Sequence, residues 1–130
     1  MTEPNRFIRE MYVTELTGIV NVYDQKAPTG AVTPYAVLAD IRREQMPLKG
    51  EYYKCTTTLN LYHEFNELGN TEALDALSED VINVIMGTPV IPSFQLFKNE
   101  FTGDGQSMVD DAELKTYKKV LRFVHYVTPS

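Results

Sequence analysis

The sequence predicts an α+β fold: a mainly antiparallel β-sheet with two helices packed on one face, in the chain order α-β-β-β-α-β-β. Three observations carry the prediction. Two segments, one at the start and one in the middle, repeat their apolar residues at helical spacing. Five others are rich in β-branched and aromatic residues over strand lengths. Most connections between those strands are too short for a parallel crossover, so antiparallel pairing is expected, with the helices together on one side.

The first helix is predicted from Pro4 to Leu16. Thr2 or Glu3 caps it, Pro4 suits the first turn and Gly18 stops it. Ile8, Met11, Tyr12 and Leu16 form one apolar stripe. Ile19 to Tyr23 is a short strand, ended by the turn residues of Asp24–Gly30. A second strand covers Tyr35 to Ile41 and continues to Met46, with Pro47–Gly50 as the next turn.

The third strand, Tyr52 to His63, has the clearest alternation. Tyr53, Cys55, Thr57, Leu59 and Leu61 share one face, and Tyr52, Lys54, Thr56, Thr58, Asn60 and Tyr62 the other. After a turn at Asn66–Asn70, a second helix is predicted from Thr71 to Met86, capped by Asn70 or Thr71. Its buried stripe is Leu74, Leu77, Val81, Val84 and Ile85, and Gly87 stops it. Thr88–Ser93 is a proline-containing link, Phe94 to Phe101 the fourth strand and Thr102–Gln106 a loop or hairpin tip. Leu114 to Val127 is the closing strand.

A chain of 130 residues with 43% apolar and 23% charged residues matches one globular domain, taken as residues 1–130. One cysteine excludes an internal disulfide framework and a multi-cysteine zinc site. No apolar run approaches the ~20 residues of a membrane span, so no membrane is expected as a partner. The start, Met1–Pro4, lacks the pattern of a signal peptide, which predicts synthesis in the cytoplasm.

The net charge of −6 disfavours a general nucleic-acid binder, which needs a positive footprint. That charge is unevenly spread. Between Glu64 and Glu113 eleven acidic residues meet Lys98 alone, whereas Lys115, Lys118, Lys119 and Arg122 meet no acid before the end. A solvated acidic helix beside a strand with basic outward positions explains this. So does a subunit presenting opposite signs on different edges, suited to head-to-tail pairing.

No catalytic constellation emerges. His63 and Glu64 are neighbours on a strand and point to opposite faces, so they cannot share a proton there. His125 lies in the last strand without a partner at catalytic spacing, and both histidines are expected at the surface. Cys55 alternates with Leu59 and Leu61, as a buried inert thiol does. Asp110, Asp111 and Glu113 lack the ligand pattern of a calcium loop, and Gly103-Asp104-Gly105 reads as turn chemistry. Tyr35, Tyr52, Tyr62, Tyr117 and Tyr126 near strand ends would need a positive groove to serve as a stacking platform for single strands. No metal and no cofactor is expected.

Three segments taken together carry a family likeness. They are Val22-Tyr23-Asp24 with the turn leading to Thr33-Pro34-Tyr35-Ala36-Val37-Leu38; the strand ending Leu61-Tyr62-His63-Glu64 followed by the acidic helix to Val81-Ile82-Asn83-Val84-Ile85; and the closing strand Thr116-Tyr117-Lys118-Lys119-Val120-Leu121-Arg122-Phe123. The pattern resembles the tail-completion or tail-terminator proteins of long-tailed bacteriophages. The resemblance implies a structural virion protein at the tail–head joint that forms a ring, commonly a hexamer, at the end of the tail tube. Such a ring stops tube polymerisation and gives the head–neck connector a docking surface. Its implied partners are copies of itself, the tail tube protein and the neck protein. DNA passes through the lumen without specific binding.

On that reading Lys118, Lys119 and Arg122 are expected to meet Asp75, Glu79 or Asp80 of a neighbour. The Thr88–Ser93 link and the Glu44–Tyr53 connection depart from the pattern and leave a head–tail connector or stopper as an alternative. A small α+β enzyme or ligand-binding domain is the alternative of another class. It would require polar groups converging on a pocket between helices and sheet.

Overall fold

Seven elements follow the expected order. The structure, a computed structural model, describes residues 4–32, 34–45, 52–64, 72–87, 89–110 and 115–129. They form α1 (Pro4–Glu15), β1 (Asn21–Asp24), β2 (Tyr35–Gln45), β3 (Tyr53–Glu64), α2 (Glu72–Ile85), β4 (Phe94–Asp110) and β5 (Lys115–Pro129). The fold is α+β, with two helices against a five-stranded, mostly antiparallel sheet. The expected caps at Thr2, Glu3, Asn70 and Thr71, the turns at Pro47–Gly50 and Asn66–Asn70, and Asp111 and Glu113 lie outside the described residues.

The sheet has the order β1-β2-β3-β5-β4. The last strand is therefore central: β5 inserts between β3 and the edge strand β4, antiparallel to both. One pair departs from antiparallel geometry, since β1 runs parallel to β2, Asn21 matching Tyr35. β1 is only four residues long, so the ten residues between the two strands have little distance to cover on the return.

The helices lie on one side, and their stripes explain why. Ile8, Met11, Tyr12 and Leu16 of the first helical segment are wholly buried. In α2, Leu74, Val81 and Ile85 are buried with Ser78, while Leu77 and Val84 are partly buried. Ser78 was not in the expected stripe; its hydroxyl donates to the Asp75 carbonyl at 2.9 Å, which removes the cost of burying it. Both helices close over Tyr53, Cys55, Thr57, Leu59 and Leu61 of β3, the face that alternation selects. Gly18 has φ of 86°, the left-handed conformation that ends a helix without steric cost.

Expected boundaries shift by one or two residues at most elements, β1 starting at Asn21 rather than Ile19, and one expectation fails outright. Thr102–Gln106 is not a loop, because β4 continues through it to Asp110. The register shifts between Phe101 and Gly103, and Gly103 has φ of 141°. Gly103 serves a bulge in a long edge strand, where an extra residue bends the chain and pairing then resumes.

Candidate functional site

Lys118, Lys119 and Arg122 of the closing strand do not form one surface. Alternation along β5, in register with β3, puts Lys119, Leu121, Phe123, His125 and Val127 toward the helices. Lys118, Val120, Arg122, Val124 and Tyr126 point to the outer face, the side of the sheet away from the helices. The adjacency of Lys118 and Lys119 carries this signal already, since neighbours on a strand project oppositely.

Lys119 consequently has its partners within its own chain. Its Nζ lies 3.1 Å from Asp75 Oδ1 of α2 and 3.5 Å from Asp104 Oδ2 of β4. Its side chain is only 12% exposed, so this cation pins α2 onto the sheet. Lys118 is half-buried and Arg122 exposed on the outer face, and Glu79 and Asp80 are exposed on α2. The six candidate residues thus divide into an internal Lys119–Asp75 pair and two separated groups of opposite sign.

The outer face is edged with aromatic rings at both ends. Tyr35 and Tyr62 stack with centroids 5.0 Å apart, and Tyr23 meets Tyr35 edge-on at 6.0 Å. Burial, with the phenols of Tyr62 and Tyr23 close by, raises the Tyr35 hydroxyl above its ordinary pKa. At the other end Tyr52, Phe97 and Tyr126 cluster, with the Lys98 ammonium 5.1 Å from the Tyr126 ring centre. The Lys98 pKa is raised by its hydrogen bond and 2.9 Å contact with Glu100. Between the two clusters lies Asn60, 8% exposed, whose Oδ1 accepts no hydrogen bond among the described residues.

His125 overturns its surface expectation. It is wholly buried and joins a polar chain through the core. Asn99 Nδ2 donates to the Ile85 carbonyl at 2.5 Å, which leaves Asn99 Oδ1 to accept from His125 Nδ1 at 2.7 Å. His125 Nε2 then accepts the Tyr12 hydroxyl at 2.7 Å, and Tyr12 accepts from Thr57 Oγ1 at 2.6 Å. Burial pushes the His125 pKa down to about 4 and the Tyr12 pKa above its ordinary range. The bonds hold one neutral tautomer, and the chain ties α1, β3, α2, β4 and β5 together. Sequence reading placed Tyr12 and Thr57 in the core but missed Asn99, whose partners are distant in sequence.

The chemistry available elsewhere is slight. Cys55 is fully buried, as alternation predicted. His63 is half-buried on the helix side, opposite Tyr117. Among the described residues, no three or more His, Cys, Asp or Glu side chains gather as metal ligands. No helix among them is long and apolar enough to cross a membrane. The arrangement can hold opposite charges on opposite layers and present a wide polar and aromatic sheet face.

No protein-family model matches the sequence, and no curated protein sequence does. The fold is similar to that of a chain in the solved structure described as "Virion of native gene transfer agent (GTA) particle". The TM-score is 0.61 at 15% identity, over 95% of this chain and 90% of that one. At this identity the likeness is one of fold.

Proposed function

We propose that this chain is a structural virion protein of the tail-terminator type. On this reading it forms a ring at the end of a tail tube, stops tube growth and presents a surface to the head–neck connector. It acts by assembly rather than by turnover. The observation that carries the reading is the nearly full-length match of fold to a chain from the virion of a gene transfer agent particle. The family resemblance of the strand and helix segments, read independently from sequence, points the same way.

The molecular layout supports it. Ring closure needs two different complementary surfaces on each subunit. Opposite charge on the helix layer and the outer sheet face meets that need. The net charge of −6 suits a ring through which DNA passes without being gripped.

Purified protein mixed separately with tail tubes and with tailless heads, then imaged by negative stain, tests the proposal. Density capping one end of the tubes, with tube length held constant during assembly, is expected. Density on the heads alone would reassign the chain to the neck as a connector or stopper. Absence from both overturns the virion reading.

A further inference from the structure

We propose that the outer sheet face of one copy docks on the outward face of α2 of a second copy, bringing Lys118 and Arg122 against Glu79 and Asp80. The inference rests on the assembly reading above and names the surfaces that carry it.

Charge selects the pairing. Arg42 pairs with Glu44 at 3.8 Å and Lys98 with Glu100 at 2.9 Å on the outer face. Among the described charged side chains there, this leaves Lys54, Lys118 and Arg122 against Asp40. The helix is the opposite case, with Glu72, Asp75, Glu79 and Asp80 and no base. Asp75 is engaged by Lys119 of its own chain. Glu79 and Asp80, a turn further along, make no ion pair among the described residues. Packing two outer faces together would set Lys118 and Arg122 against their own copies, and packing two α2 helices would oppose acids to acids. Of these three pairings among the described residues, the unlike contact is the one that joins opposite signs, and a contact of that kind propagates head to tail into a ring.

Shape agrees with the charges. Ala73 and Ala76 are exposed beside Glu72, Glu79 and Asp80, so a neighbouring backbone can approach α2 closely. On the sheet, Asn60 sits opposite Val120, midway between Lys118 and Arg122, and is itself buried, so the two cations flank a surface without a projecting side chain at that position.

The test combines two charge reversals, Lys118→Glu with Arg122→Glu, and Glu79→Lys with Asp80→Lys. All four positions are exposed or half-buried, and circular dichroism checks that each variant folds. Sedimentation velocity should show wild-type oligomers that weaken in high salt. Each double variant alone should assemble about tenfold or more weakly. An equimolar mixture of the two should regain assembly in a one-to-one ratio, because each copy then meets its complement.

A wild-type monomer across the concentration series overturns the inference. So do oligomers indifferent to both reversals, or a mixture that does not recover. Loss of affinity for a single-stranded oligonucleotide on sheet reversal, with assembly unchanged, overturns it in favour of a nucleic-acid face. Tube-end capping is read in parallel. Capping without reversal-sensitive assembly leaves the terminator reading standing and removes this one, and the converse result does the opposite.

Discussion

Tyr12, from the first helix, and His125, from the last strand, stand 113 positions apart and share a buried hydrogen bond of 2.7 Å. Through Thr57 and Asn99 that bond joins three strands and both helices. A core containing a satisfied polar chain specifies one arrangement of its layers more sharply than a purely apolar one, because every alternative leaves a buried group unpaired.

Tyr12→Phe should expose that dependence. The ring still fills its space against Phe123, but His125 Nε2 loses its donor and Thr57 its acceptor. A loss of about 1–3 kcal/mol is expected, read as a fall of roughly 4–12 °C in Tm.

Stability should fall in mild acid through His125. Its folded pKa is about 4 against 6.5 for the free side chain, so the unfolded chain binds the proton more readily in that window. The contribution is complete above pH 6.5, declines as the pH falls toward 4 and is flat below. It amounts to roughly 3 kcal/mol. Urea midpoints measured from pH 7 to 4 check the sign, and the His125 imidazole resonances in the folded protein should titrate near the lower limit.

Lys119→Met separates packing from charge. The stem is retained, while Asp75 and Asp104, 54% and 47% exposed, return to water. The expected cost is below about 1 kcal/mol and shrinks further in high salt. Denaturant curves at two salt concentrations measure both.

Gly103 and Gly105 should respond differently to substitution. At both, the space that a Cβ would occupy has no neighbouring atom within 4 Å, so space is not the obstacle at either. Gly103 has φ of 141°, and Gly103→Val should destabilise by about 1–3 kcal/mol through backbone strain. Gly105→Ala requires no such conformation and should be neutral or stabilising by up to about 1 kcal/mol. Thermal unfolding of the two variants gives the comparison.

Expectations drawn from periodicity hold where burial is decided by neighbours along the chain. The stripe of Ile8, Met11, Tyr12 and Leu16 and the alternating face from Tyr53 to Leu61 are read directly, because helical and strand spacing fix which side chains share a side. The Gly103-Asp104-Gly105 segment misleads, since turn composition is local whereas its strand identity comes from pairing with β5. The candidate charged surface was half legible. Its residues were visible as a charge asymmetry, but grouping Lys118 with Lys119 ignored the pleat that separates them.

By itself, the sequence determined the element order, the apolar faces, the single buried cysteine and the split between an acidic middle and a basic end. These follow from local spacing and composition. Tertiary structure alone decided that β5 lies centrally, that β1 joins in parallel, that Lys119 is held within its own chain, and that His125 is buried and satisfied. Each depends on groups brought together from remote positions. A polar side chain is stable in the interior only where the fold supplies its partner, and no local pattern records that.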